Sequence, residues 1–261
     1  MSQLQKAVNK EFLPMASWLP GFSSATRNLE FGASSMRICL LLALFCFCSP
    51  ISGKESTCFG TTDKGRVEDA VKLPDSGPNF VSYGNVPELV GRTYVHSKVR
   101  DVLVSAYEAL EKEQAGKVFK YAESGSMQGG EFWPHKTHQN GLSVDLMVPV
   151  LDERGRSVHL PTNPLNEYGY GIEFDEHGRY NGYRIDYEAL GALIVALHKS
   201  ALSHGIAVRR VLFVPTLQPD LYNSSYGDYI RRHVTIPTKR SWRPHDEHIH
   251  VDFFVECRPL Q

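Results

Sequence analysis

Three histidines within six positions near the end of the chain, His245, His248 and His250, constrain the fold most strongly. Successive side chains of a β-strand point to opposite faces, so residues two apart share a face. A strand that begins at His248 therefore carries His250 and Asp252 on the same face, with apolar residues between them on the other. We predict that the apolar face packs on the core and that the imidazoles, which are common metal ligands, line a metal site. The alternative is a half-buried strand whose polar face holds histidines without a metal.

Charge and hydropathy exclude two broad classes of protein. The chain has 28 Lys and Arg against 29 Asp and Glu, a net charge of -1, which argues against a nucleic-acid partner. The mean hydropathy of -0.28 excludes a polytopic membrane protein.

The apolar run of residues 38–48 follows Arg37 and precedes a segment of small residues over 49–53. This pattern predicts a secretory signal peptide over residues 36–53. The run is shorter than the roughly 20 residues that a membrane-spanning helix needs. We expect Met36 to be the true start and residues 1–35 to be an over-extended start; a genuine long leader or a membrane anchor is the alternative. The predicted protein is exported to the periplasm, with no stable membrane insertion after leader removal.

Only two of the five cysteines, Cys58 and Cys257, lie outside that leader. In an exported protein, a pair at opposite ends of the chain predicts one disulfide. Residues 54–261 then form a single domain.

Hydrophobic periodicity places the helices and strands along this domain. Apolar residues at helical spacing predict two long helices over 96–114 and 186–204. Alternating residues predict strands over 118–122, 142–151 and 209–214, besides the one from His248. We expect an irregular segment over 54–95, a hairpin turning at 175–178 and a short helix over 220–232. Strands and helices do not alternate regularly, which favours an α+β fold: a largely antiparallel central sheet flanked by the two long helices, with a zinc site on the sheet face.

A second group of polar residues strengthens the metal hypothesis. Asp145 lies on the polar face of the 142–151 strand, and His138 precedes Gly141, where the chain can turn back over that strand. If this strand pairs with the one that holds His250, the three side chains converge. Two imidazoles and a carboxylate suit Zn²⁺ and leave a fourth position for water, which is the arrangement of a catalytic site.

The motifs also resemble a known family. His138-x-x-Gly141-x-x-x-Asp145 followed by His248-x-His250 resembles the group of lysostaphin-type metallopeptidases, D-alanyl-D-alanine peptidases and hedgehog domains. Two longer motifs, His135-x-x-His138 and His245-Asp-Glu-His248-Ile-His250, are similar more closely to those of the penicillin-insensitive murein endopeptidases. This resemblance covers residues 80–257. Gly129-Gly130, Trp242 and a disulfide joining the two ends of the domain fit that family as well.

The resemblance implies one Zn²⁺ per chain, held by His138, Asp145 and His250, and hydrolysis of the D-alanyl–diaminopimelyl cross-link of peptidoglycan. We expect His248 to act as the base or the oxyanion stabiliser. His245 and His135 would lie at the rim, where they orient substrate, share the proton or support the ligands through hydrogen bonds.

The chain departs from the family at two places. Asp246-Glu247 stands where the family usually has two aspartates, and Glu247 precedes His250 by three residues, the spacing of D-alanyl-D-alanine carboxypeptidases and dipeptidases. Glu247 as the catalytic base of a carboxypeptidase is therefore an alternative. The other disulfides of the family are absent, so the loops over 152–184 need not match its substrate groove. A third possibility is a non-catalytic, zinc-stabilised module that binds the cell wall.

Overall fold

The structure is a computed structural model that describes residues 54–239 and 245–260. The expected start at Met36, the signal peptide and Trp242 lie outside the described residues. Among the described residues, no helix is both long and apolar enough to cross a membrane.

Short strands and helices follow one another along the described chain, and two of the helices are long. The first half contains β1 Thr57–Gly60, β2 Gly65–Glu68, β3 Val71–Lys72, β4 Phe80–Ser82, α1 Asn85–Leu89, β5 Tyr94–Val95, α2 Ser97–Glu113, β6 Phe119–Tyr121, β7 Ser143–Met147, β8 Val150–Leu151 and β9 Ser157–Val158. The second half contains a 3₁₀ helix Pro164–Gly169, β10 Arg179–Tyr180, β11 Tyr183–Ile185, α3 Tyr187–Ser203, β12 Ala207–Leu212, a 3₁₀ helix Pro215–Leu217, α4 Gln218–Tyr222, α5 Gly227–His233 and β13 His248–Phe254.

The central sheet has five strands in the order β12-β13-β7-β6-β4. Every neighbouring pair is antiparallel except β4 with β6, which is parallel. The predicted α+β class with a largely antiparallel sheet is therefore confirmed. A second, four-stranded sheet has the order β10-β11-β8-β9.

Helices α2 and α3 have 17 residues each and pack against one another. Side chains cap both amino termini: His96 accepts from the Lys98 N–H, and Asp186 accepts from the Ala189 N–H. Such caps satisfy backbone donors that have no partner within the helix. Apolar residues of both helices pack in one core with the inward faces of β7 and β13. One face of each of these two strands is therefore packed against the core.

Four local expectations need correction. Residues 54–95 are not irregular but contain β1 to β5 and α1. The strand expected over 142–151 is two strands, because Pro149 has no N–H to donate to a sheet. The hairpin turns at Asn181–Gly182, both at positive φ, which suits a two-residue hairpin loop. The short helix over 220–232 is two helices, α4 and α5; between them the Ser224 hydroxyl donates to the Leu221 carbonyl.

A disulfide joins Cys58 in β1 to Cys257, three residues after β13 ends. Backbone hydrogen bonds reinforce this link, because Arg258 donates to the Cys58 carbonyl and accepts from the Gly60 N–H. The two ends of the described domain are thereby fastened beside the strand that carries the histidines.

Candidate metal centre

The pairing of β7 with β13 places His250 directly opposite Asp145. On β13, Ile249, Val251 and Phe253 face the hydrophobic core, and the polar residues at alternate positions face the other way. Both strands are buried, so the polar face is covered by loops rather than open to water. The strand alternation predicted from the sequence therefore produces a buried cluster around the carboxylate of Asp145.

His138 brings an unpaired nitrogen into this cluster. Its Nδ1 lies 3.1 Å from the Ser124 carbonyl oxygen, which can only accept, so Nδ1 carries the proton. The bare Nε2 lies 3.3 Å from Asp145 Oδ1 and has no hydrogen-bond partner among the described residues. Burial lowers the pKa of His138, although Asp145 opposes the shift. A neutral, fully buried imidazole with a free lone pair suits a metal ligand.

His250 is held from both sides by carboxylates. Its Nδ1 lies 2.7 Å from Asp145 Oδ1, and its Nε2 lies 2.9 Å from Asp252 Oδ1. Asp252 is fixed in turn by the Ser143 hydroxyl and by Arg210 Nε, each at 2.6 Å. Burial works against the charged ring, but Asp145 and Asp252 raise the pKa of His250 to about 9. In metal-ligating histidines, the ring nitrogen that does not bind the metal typically donates to a carboxylate, as His250 Nε2 can to Asp252.

His135 lies closer to the cluster than the rim position expected from the sequence. Its Nδ1 is 3.8 Å from Asp145 Oδ2, and its Nε2 is 3.2 Å from Glu123 Oε2. Ligand atoms of His135, His138 and Asp145 lie within 4.8 Å of one another and could hold a metal ion. The donor set, two or three imidazoles and one carboxylate, fits Zn²⁺.

His248 and Glu247 form a pair beside the same carboxylate. Glu247 Oε1 lies 2.9 Å from His248 Nδ1, and Glu247 Oε2 accepts from the Asp246 N–H at 3.2 Å. The opposite nitrogen, His248 Nε2, lies 3.7 Å from Asp145 Oδ2. Burial disfavours a charged ring, yet Glu247 and Asp145 raise the pKa of His248. The ring of His245 is half-buried and packs 4.8 Å from that of His248.

Sequence reasoning missed two residues of the cluster, Tyr170 and Glu123. The Tyr170 hydroxyl donates to Asp145 Oδ2 at 2.8 Å, from a turn-rich segment with no periodic signal. Burial raises the pKa of Tyr170 well above its usual range, so this hydroxyl keeps its proton. Glu123 is buried and accepts from Arg92 Nε at 2.6 Å and from the Tyr83 hydroxyl at 3.0 Å. A polar residue just after β6 offered no signal for this role.

The fold and the site together define an α+β protein with a buried histidine–aspartate cluster that could hold a metal ion. The family model described as penicillin-insensitive murein endopeptidase matches residues 58–259, so the chain belongs to that family. The resemblance drawn from the motifs is confirmed, and the protein is an enzyme that hydrolyses peptidoglycan. A search of curated proteins found no match to the chain.

Proposed function

We propose that the chain is an exported zinc peptidase that hydrolyses the D-alanyl–diaminopimelyl cross-link of peptidoglycan. One observation carries the proposal: His138 Nε2 and His250 Nδ1 approach the same oxygen of Asp145, at 3.3 and 2.7 Å. In each imidazole the other nitrogen is held by a carbonyl or a carboxylate. Membership of a murein endopeptidase family supplies the substrate class.

The proposed ligands are His138, Asp145 and His250. His135 competes with His250 for the third place, because its Nδ1 also faces Asp145. It approaches the other oxygen, however, at the longer distance of 3.8 Å. His250 is therefore favoured as the ligand, and His135 is favoured as a group that contacts the substrate or shares the proton.

Zinc held by these residues would lower the pKa of a coordinated water and polarise the scissile carbonyl. His248 is the proposed base, because its Nε2 faces the cluster while Glu247 holds its Nδ1. A base oriented by a carboxylate keeps one nitrogen aimed at the reacting atoms. His248 would then return the proton to the amine that leaves when the peptide bond breaks. His245, packed against His248, would orient the peptide at the rim.

The position of Glu247 favours this assignment over a carboxypeptidase in which Glu247 is the base. Both of its oxygens are engaged, one by His248 and the other by the Asp246 N–H. A carboxylate that is already bonded on both sides is suited to orient an imidazole. Export to the periplasm is supported by the Cys58–Cys257 disulfide, because such bonds persist in oxidising compartments.

Digestion of a defined, cross-linked muropeptide dimer tests the proposal. The zinc-loaded protein should convert the dimer into two monomers by adding one water, as seen in the masses of the products. Release of free D-alanine from a monomer that ends in D-alanyl-D-alanine would instead support the carboxypeptidase. Binding to sacculi without any cleavage would support the wall-binding module. His248→Ala, with unchanged folding and zinc content, is the control for contaminating hydrolases.

A further inference from the structure

The two oxygens of Asp145 have different neighbours. Oδ1 faces the two imidazoles proposed as ligands, His138 and His250. Oδ2 accepts a hydrogen bond from the Tyr170 hydroxyl at 2.8 Å. A carboxylate can bind a metal through one oxygen or both, so the partner of Oδ2 affects how many positions around a metal remain for water and substrate.

The backbone of the segment before Tyr170 is held in place by hydrogen bonds and by packing. The chain passes through left-handed backbone at Glu167 and Tyr168, and the Asn166 side chain bonds the Pro161 carbonyl and the Gly169 N–H. Gly169 has a φ of +105°, and a Cβ there would lie 2.7 Å from Met147 Cε, so the segment sits tightly against β7. The backbone that leads into Tyr170 is therefore held against β7.

The hydroxyl of Tyr170 has a partner on each side. It donates to Asp145 Oδ2 and accepts from the Glu123 N–H at 3.2 Å. The Tyr170 ring lies edge-on to His135 and His248, with centroids 5.4 and 5.0 Å apart. Tyr170 thus contacts Asp145 and both of the imidazoles that face Oδ2, which lie 3.7 and 3.8 Å from that oxygen.

We propose that Tyr170 is a positioning residue that holds Asp145 Oδ2 and so keeps Asp145 a ligand through Oδ1 alone. The inference rests on the proposed zinc centre. Two imidazoles and one carboxylate oxygen would supply three protein ligands to zinc and would leave a fourth position for water or substrate. Without the hydroxyl, Oδ2 can turn to the metal as an additional ligand and raise the coordination number.

The test compares Tyr170→Phe with Tyr168→Phe, a matched change in the same segment. Tyr168 packs edge-on against Tyr83, and no hydrogen bond of its hydroxyl to Asp145 is present. Each protein is loaded with Co²⁺ in place of Zn²⁺, because the visible absorption of Co²⁺ is intense in four-coordinate sites and weakens as the coordination number rises. Zinc affinity is measured separately by competition with a chromogenic chelator.

The wild type and Tyr168→Phe should give the intense four-coordinate spectrum, and Tyr170→Phe should give a weaker one. Tyr170→Phe should also change zinc affinity or the turnover rate at saturating zinc by about 10–100-fold. An unchanged spectrum in Tyr170→Phe would overturn the inference. If Tyr170→Phe does not fold, the wild-type spectrum decides, because a weak five- or six-coordinate spectrum contradicts a single Asp145 oxygen with one open position. Failure of the wild type to bind either metal would instead refute the proposed zinc centre.

Discussion

Asp145 and His250 are cross-strand partners on β7 and β13, and Asp145 Oδ1 lies 2.7 Å from His250 Nδ1. This register places both side chains on the same face of the sheet. A slip of one residue would turn the His250 imidazole into the core and bring Ile249 or Val251 to Asp145. The apolar faces of the two strands therefore fix the site as well as the core.

Asp252 should support zinc binding through His250. We expect Asp252→Asn to weaken zinc affinity about 10–100-fold, because His250 Nε2 would lose its charged partner. Competition with a chromogenic chelator measures the change. Asp152→Asn, in an exposed turn where Asp152 pairs with Arg156, is the matched control and should leave the affinity unchanged. Equal affinities of Asp252→Asn and the wild type would contradict this role.

His248 and Glu247 should differ in their effect on the rate. His248→Ala should lower kcat about 10²–10⁴-fold, the range for loss of a general base. Glu247→Gln should cost less, because the glutamine carbonyl can still accept from His248 Nδ1. Steady-state kinetics on the cross-linked dimer measures both variants. A larger loss in Glu247→Gln than in His248→Ala would make Glu247 the base and favour the carboxypeptidase mechanism.

Lys120 gives the fold a pH dependence that is independent of the metal. Its ammonium group donates to the Leu160 carbonyl and the Thr162 hydroxyl, and burial lowers its pKa to about 8, below the ordinary 10.5. Between these two values the unfolded chain binds more protons than the folded chain, so this residue makes folding more favourable as pH rises. In Lys120→Met the contribution is absent.

Urea unfolding at several pH values tests this prediction. The free energy of unfolding of the wild type, relative to Lys120→Met, should increase from about pH 8 to 10.5. Lys112→Met, at an exposed position of α2, is the matched control. A difference between the wild type and Lys120→Met that stays constant with pH would contradict the depressed pKa.

The disulfide should contribute strongly to stability. Cys58 and Cys257 are separated by 199 positions, and removing such a bond costs about 2–5 kcal/mol. The double variant Cys58→Ser, Cys257→Ser should therefore unfold at lower guanidinium concentration. Reductant should bring the wild type to the level of the double variant and leave the variant unchanged. Coincident unfolding curves without reductant would show that the bond adds nothing.

The sequence was sufficient to predict the polar face of β13 but not all of the residues around it. Alternation on one strand placed His248, His250 and Asp252 together, because strand geometry has a fixed period of two. Helical spacing with a capping Asp186 located α3 to within a residue at each end. These features depend on local geometry, which a single sequence expresses directly.

Tyr170 and Glu123 could not be predicted in this way. Each reaches Asp145 or His135 through a contact between segments that are distant in the sequence, from positions without periodicity. The hairpin at Asn181–Gly182, in contrast, could have been predicted from the sequence. Asn-Gly is itself a strong hairpin signal and favours a turn there over one at 175–178. The pairing of β7 with β13 joins segments about a hundred residues apart, which periodicity within either strand does not specify.

Metal analysis of four purified proteins tests the proposed zinc centre: the wild type, His138→Ala, His250→Ala and His135→Ala. We expect one zinc per chain in the wild type and in His135→Ala, and little zinc in His138→Ala and His250→Ala. Removal of zinc from the wild type should abolish cleavage of the cross-linked dimer, and its return should restore it. Zinc retained by His250→Ala but lost from His135→Ala would make His135 the third ligand. Cleavage of the dimer by a folded, metal-free wild type would show that the enzyme does not depend on zinc.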